Sequence, residues 1–263
     1  MKFVKLKTKK GGIMDEFRKG AEINLSERLS GKYPGRGLVV GLDESGRNVI
    51  QIFWTMGSHE GSLKRILKEG QNGDVIVDVY GEKNPQTAYD LLLYRAMAES
   101  RGVFAVANGN HIISIINYAE ISNSLLSLNL ETPLTDWGCE LDSPIFTPRI
   151  ALMSNLWNEY SGYHQLSVIK RGSAWNTHNR ALYTYRDLVP GIGHCITTYS
   201  GAEDERPTPY SGEPFNVPLI GGMRKIAESF WQKLDEEKRV AIAVKFINIR
   251  TRESIVHIKN RFE

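Results

Sequence analysis

The spacing of apolar positions changes period several times along the chain, and each change marks an element. Residues 37–42 and 49–56 are near-continuous apolar, β-rich runs. The polar stretch Asp43-Glu44-Ser45-Gly46-Arg47-Asn48 joins them, so the two predict a β-hairpin. Residues 74–80, "DVIVDVY", alternate apolar with polar, as a strand with one wet face does. From Asn84, the positions Ala88, Leu91, Leu92, Tyr94 and Ala98 suit a helix that Gly102 ends. Residues 103–107 and 111–116 flank Asn108-Gly109-Asn110 and predict a second hairpin, with another helix over 118–128.

The middle of the chain loses this regularity. "WGCELDSPIFTPRIAL" holds two prolines and little periodicity, yet carries apolar anchors, and reads as a packed loop. Strands return at 165–170, 182–186 and 195–199, and 203–216 reads as a long loop. Residues 223–234 predict a helix with Ile226, Phe230 and Leu234 on one face. "VAIAVKFINI" and "SIVHI" predict closing strands. Many strands with a few grouped helices predict an α+β fold. No internal repeat or linker divides the chain. Residues 1–25 read as a basic, disordered N-terminal extension and 26–263 as a single domain.

Composition narrows the function classes. At 263 residues, 41% hydrophobic and 24% charged, the chain can bury a substantial core. A net charge of +3, much of it in Lys2, Lys5, Lys7, Lys9 and Lys10, is too small to imply a nucleic-acid partner. That tail lacks the apolar stretch of a signal peptide, and no run approaches the ~20 apolar residues that span a bilayer, so no membrane partner is expected. Cys139 and Cys195 make no disulfide or metal framework and fit a reducing cytoplasm.

Familiar catalytic signatures are missing. There is no phosphate loop, and "GIGHC" at Gly191 reads as a turn. The six histidines have no zinc spacing, so no metal site is expected from them. His194 and Cys195 would point to opposite faces of a strand. Ser45 and Ser200 lack a nucleophile elbow. What remains is a set of loops richer in specific residues than their length requires: "YPGRG" at 33–37, "MGSHEGSLKR" at 56–65, "NPQTAY" at 84–89, "ANGNH" at 107–111, "ELDSPIFTPRI" at 140–150 and "TTYSG" at 197–201. Each has an ordinary reading. Gly35-Arg36-Gly37 would be a solvated turn, Glu140 and Asp142 loop charges, Arg65 a helix-face cation, Tyr89 core packing and Asn108 a left-handed turn residue.

In order, Tyr33-Pro34-Gly35-Arg36, Lys64-Arg65, Asn84-Pro85 with Tyr89, Asn108-Gly109, Glu140-Leu141-Asp142 with Thr147-Pro148-Arg149-Ile150, and Thr197-Thr198-Tyr199 resemble the archaeal-type IMP cyclohydrolase family and its bacterial relatives. The resemblance is firm over 33–199 and looser in the C-terminal third. Gln86 departs from the aromatic common in archaeal members, and the chain is longer than their minimal form. The resemblance implies a four-layered α-β-β-α sandwich similar to the N-terminal-nucleophile hydrolases, without their nucleophile. It implies closure of 5-formamidoimidazole-4-carboxamide ribotide (FAICAR) to IMP with loss of water, in the cytoplasm and without a cofactor. It places Glu140 as general base, Tyr89 as donor to the oxyanion and Arg65 either on the formyl oxygen or orienting the carboxamide. Arg36, Arg149, Asn108, Asp142 and Tyr33 become substrate-binding candidates, with Arg36 and Arg149 both open as phosphate ligands. A purine-ribotide sensor and an amide hydrolase of the N-terminal-nucleophile type are the alternatives. The partner is a small ribotide, and homo-oligomerisation is left open.

Overall fold

The computed structural model describes residues 10–30, 32–81, 93–124, 128–157, 162–174, 176–201 and 207–262. In chain order the elements are α1 (Lys10–Leu29), β1 (Gly37–Leu42), β2 (Asn48–Met56), α2 (Glu60–Leu63), β3 (Arg65–Glu69), β4 (Val75–Val79), β5 (Tyr94–Ser100), β6 (Val103–Ala107), α3 (His111–Ile121), β7 (Arg149–Asn155), β8 (Tyr163–Arg171), β9 (His178–Tyr185), β10 (Ile192–Thr197), β11 (Phe215–Pro218), α4 (Met223–Trp231), β12 (Arg239–Asn248) and β13 (Ser254–Asn260). They form an antiparallel sheet of order β11-β10-β1-β2-β12-β13 and a second of order β3-β4-β5-β6-β7-β8-β9.

The two sheets face each other across the main core. Gln51 on β2 points inward and donates from Nε2 to the Phe104 carbonyl at 3.1 Å and to Ser154 Oγ at 3.0 Å on the second sheet. Its register partner Lys245 on β12 reaches the Gly73 carbonyl at 2.7 Å. The alternate residues Ile50, Ile52 and Trp54 face outward, where Trp54 meets Phe230 of α4 at 5.9 Å between ring centroids. On the second sheet, Ala105, Ala107, Ala151 and Met153 form a separate apolar layer with Ile112, Ile115, Ile116 and Ala119 of α3. The layers run α, β, β, α. No helix among the described residues is long and apolar enough to cross a membrane.

The first predicted hairpin forms as read. Asp43 holds its turn by accepting from the backbone N–H groups of Arg47 at 2.8 Å and Asn48 at 3.0 Å. Four expectations change. The predicted helix from Asn84 to Gly102 lies outside the described residues over 84–92, and 94–100 is strand β5. Arg101 (φ 50) and Gly102 (φ 77) take left-handed angles that reverse the chain into β6, so Gly102 closes a hairpin instead of ending a helix. The second hairpin is absent: His111–Ile121 is helix α3, and β6 pairs with β5 and β7. His111, Ile112, Ile115, Ile116 and Ala119 recur at helical spacing and bury one face. The helix foreseen over 118–128 ends at Ile121. Within the foreseen basic extension, α1 is helical from Lys10 and buries Ala21 and Leu25, with Leu29 just beyond it.

Candidate active site

Sequence-distant polar residues gather where strand ends from both sheets meet. Arg36 immediately precedes β1, and Tyr199 follows β10, on the first sheet. Arg65, Tyr94 and Arg149 open β3, β5 and β7 on the second, and Asn108 follows β6. Glu140 lies in the loop before β7, where its N–H donates to the Thr147 carbonyl at 2.9 Å.

The Gly35-Arg36-Gly37 triplet is a buried crossing point rather than a solvated turn. Gly35 has φ 72, and a Cβ there would fall 2.3 Å from Thr198 Oγ1. A Cβ at Gly37 would fall 1.9 Å from the Trp54 ring. Thr198 Oγ1 accepts from Arg36 N at 3.1 Å and donates to the Pro34 carbonyl. The glycines let this backbone press against β10 and β2, and that fixes the origin of the Arg36 side chain. Tyr33 stacks on Tyr199 with ring centroids 5.8 Å apart.

Arg65 is 5% exposed and within electrostatic reach of Arg36. Burial first, and the Arg36 charge second, pull its pKa down to about 10. For Arg36 burial also opposes the charge, but Glu140 and the hydroxyls of Tyr94, Tyr33 and Tyr199 outweigh it and hold its pKa above the ordinary value. Arg149 Nη1 stands 3.9 Å from Glu140 Oε1, and its guanidinium lies 4.8 Å from the Trp137 ring centroid. Burial lowers the Arg149 pKa, and Glu140 opposes that shift. Burial pushes the Glu140 carboxyl above its ordinary value against the pull of Arg36, Arg149 and Arg65. The cluster therefore sets three guanidiniums against the carboxylates of Glu140 and Asp142.

Several donors here have nothing to donate to. Arg36 Nε, Arg65 Nε and Nη1 and Arg149 Nε are buried without a hydrogen-bond partner among the described residues. Buried polar groups are ordinarily paired. A convergent set of unpaired donors, two of them like-charged neighbours, is what an anionic or oxygen-rich ligand would complete. Among the described residues no group of three or more His, Cys, Asp or Glu side chains is placed to hold a metal ion.

Other candidates shape the site from behind. Asp142 is fully engaged by Thr147, accepting from its N–H at 2.7 Å and from its hydroxyl. Thr147 Oγ1 in turn meets the Tyr199 hydroxyl at 2.8 Å, tying the acidic loop to the first sheet. Asn108 is buried and is not among the positive-φ residues, so it is not a left-handed turn residue; its amide donates to the Pro148 carbonyl at 2.9 Å and its side-chain carbonyl accepts from Ile150 N at 2.8 Å. It braces β7. Tyr89 lies outside the described residues. His194 and Cys195 diverge as adjacent strand residues do: His194 stacks on Tyr185 at 3.9 Å, while burial raises the Cys195 thiol pKa well above its usual value.

Sequence reasoning passed over Tyr94 and His111. Tyr94 was absorbed into a predicted helix face, although in β5 it opens an inward-facing strand. His111 is fully buried, and its Nε2 lies 3.0 Å from the Ile150 carbonyl, which can only accept. Nε2 therefore carries the proton of the neutral ring, and Nδ1 is an unpartnered lone pair. Burial first and Arg149 second pull the His111 pKa down to about 3. The available signal was a histidine two residues after the Asn108-Gly109 pair.

A family model described as IMP cyclohydrolase-like protein matches residues 33–252. A search of curated proteins found no match.

Proposed function

The chain belongs to the IMP cyclohydrolase-like family, and from that premise we propose that it closes FAICAR to IMP, as a cytoplasmic step of purine synthesis. The observation that carries this reading is the pair of desolvated guanidiniums, Arg36 and Arg65, beside a carboxyl whose pKa burial has raised. The carboxamide nitrogen attacks the formyl carbon, and the carbonyl electron pair moves onto oxygen. Glu140 takes a proton from that nitrogen. A base raised toward neutral pH is better matched to this transfer than an ordinary carboxylate. Arg36 and Arg65 receive the developing oxyanion. Two like charges held together out of water are least stable when no anion is present, so the negative charge of the transition state relieves them most. Glu140 returns that proton to the oxyanion. The formamido N–H proton passes to the resulting hydroxyl, which leaves as water as the ring C=N bond forms. Arg149, Asn108, Asp142 and Tyr33 complete the pocket, Asn108 and Asp142 by holding β7 and the acidic loop. The same proposal carries the fold likeness to N-terminal-nucleophile hydrolases, with the reaction run by internal residues.

The test is to incubate purified protein with FAICAR and follow IMP. Turnover lost in Glu140→Gln, with IMP binding retained, is the expected result. No wild-type turnover together with tight IMP binding would replace the enzyme reading with a ribotide sensor.

A further inference from the structure

Arg149 stands off from the carboxylate it faces. Its Nη1 is 3.9 Å from Glu140 Oε1, about 1 Å longer than a charge-assisted hydrogen bond. A guanidinium and a carboxylate so near each other gain by closing into a hydrogen-bonded pair, so a competing partner must hold the cation back. That partner is the Trp137 ring, whose centroid lies 4.8 Å from the Arg149 guanidinium carbon, within the range where an aromatic face attracts a cation. The ring is itself fixed by α3 and β9. Its Nε1 donates to Ser114 Oγ of α3 at 2.9 Å. Arg180 of β9 grips the backbone that carries it, donating to the carbonyls of Leu134 at 2.8 Å, Thr135 at 2.8 Å and Trp137 at 2.6 Å. The His111 ring tilts against it with centroids 5.9 Å apart and, being neutral, adds no second cation. Trp137 and Glu140 belong to one loop before β7, and Arg149 opens that strand.

We propose that Trp137 is a positioning residue: its ring face holds the Arg149 guanidinium back from Glu140, leaving the carboxylate free to take a proton and the Arg149 N–H edge free for a ligand. The role of the carboxylate rests on the ring-closing reading above, and Trp137 adds a residue to it. An aromatic face attracts a cation through its ring quadrupole and consumes none of the in-plane N–H donors. Arg149 Nε accordingly has no hydrogen-bond partner among the described residues. Without the ring, Arg149 closes on Glu140. The pair then holds the carboxylate ionised and weakens it as a base. Arg36, Arg149, Asp142 and Arg65 are the charged groups acting on Glu140, and of these Arg149 is the one seated on Trp137.

Wild type, Trp137→Phe and Trp137→Leu are compared by two readouts. One is kcat against pH in the FAICAR assay. The other is the titration of the Glu140 carboxyl, followed by carboxyl-carbon NMR without substrate and assigned with Glu140→Gln. The expected result for Trp137→Leu is a fall in kcat of about 10-fold, with the acid limb and the carboxyl titration both moved to lower pH. Trp137→Phe, which keeps a weaker aromatic face, should move both in the same direction by less. In an Arg149→Met background the carboxyl titration should no longer respond to either Trp137 substitution. A fall in kcat with the carboxyl titration unmoved shows a structural role and overturns the proposal. A titration that still shifts once Arg149 is gone overturns it too. If Trp137→Leu does not fold, Trp137→Phe decides, and an unmoved titration there overturns the proposal. Wild type that makes no IMP overturns the ring-closing reading instead, while the carboxyl titration still decides whether Trp137 holds Arg149 away from Glu140.

Discussion

Lowering the pH should destabilise this protein through two buried histidines. His111 hydrogen-bonds the Ile150 carbonyl, and His164 Nδ1 lies 2.9 Å from Ser154 Oγ. Burial, aided by Arg149, pulls the first to a pKa of about 3; burial, aided by His194, pulls the second to about 4. In the unfolded chain both titrate near 6.5. The folded values are depressed, so the unfolded state binds more protons as pH falls below about 6.5, and stability drops. At about pH 5 each histidine has cost roughly 1.5 pH units at 1.36 kcal/mol, about 2 kcal/mol, so the pair removes about 4 kcal/mol. That is a large part of a typical domain stability of about 5–15 kcal/mol. Glu140 works in the opposite sense, because its raised folded pKa makes the protonated form more favourable in the fold. The measurement is urea unfolding at about pH 7.5, 6 and 5 for wild type, His111→Gln and His164→Gln, each repeated in the Glu140→Gln background. Glutamine keeps a donor and an acceptor but does not titrate. Each single variant should lose about half of the acid-induced drop. A flat profile in wild type, or glutamine variants with the wild-type slope, would refute the reasoning.

Glu140→Gln removes the carboxylate that supports the charges of Arg36, Arg65 and Arg149 and leaves them buried without their anion, so it should lower the urea midpoint at neutral pH while losing turnover; an unchanged or raised midpoint would contradict this. The raised Glu140 pKa places the rising acid limb of the kcat–pH profile above the usual carboxylate range near 4.3, and a limb at or below that value would remove Glu140 as base. Asp142→Ala frees both hydrogen bonds to Thr147 and should cost about 2–3 kcal/mol in unfolding free energy and lower kcat more than IMP affinity. Gly37→Ala drives a methyl into the buried Trp54 ring and should cost about 3 kcal/mol, read from the shift in denaturation midpoint.

The elements that could be read from the chain were those whose pattern and burial agree. β1 and β2 are apolar on both faces because each face meets a packed layer, and α4 shows a clean apolar stripe because only one side is covered. β5 misled because "YRAMAES" is alanine-rich and short of β-branched residues; its pairing with β4 and β6 outweighs local propensity. α3 misled in reverse, since "HIISII" has high strand propensity and only burial against the second sheet decides for helix. At the site, Arg36, Arg65, Glu140 and Arg149 were legible as a set of unusual loop residues, because charged side chains between glycines and prolines stand out. Their roles were not. Whether Asp142 meets a ligand or Thr147, and whether Tyr94 faces solvent or an arginine, depends on which strand ends the two sheets bring together.

The contact between Thr147 and Tyr199 bridges the two sheets at the mouth of the site. Arg36 belongs to one sheet and Arg65 to the other, and they repel. The seam of the sandwich is thus pried apart at one end by its own cations and held there by a hydroxyl pair. A bound anion acts on that seam as a keystone. Its binding energy will appear as resistance of the two halves to separation, so protection from protease and from amide exchange should rise along β1, β3 and β7 together, well beyond the residues the ligand touches.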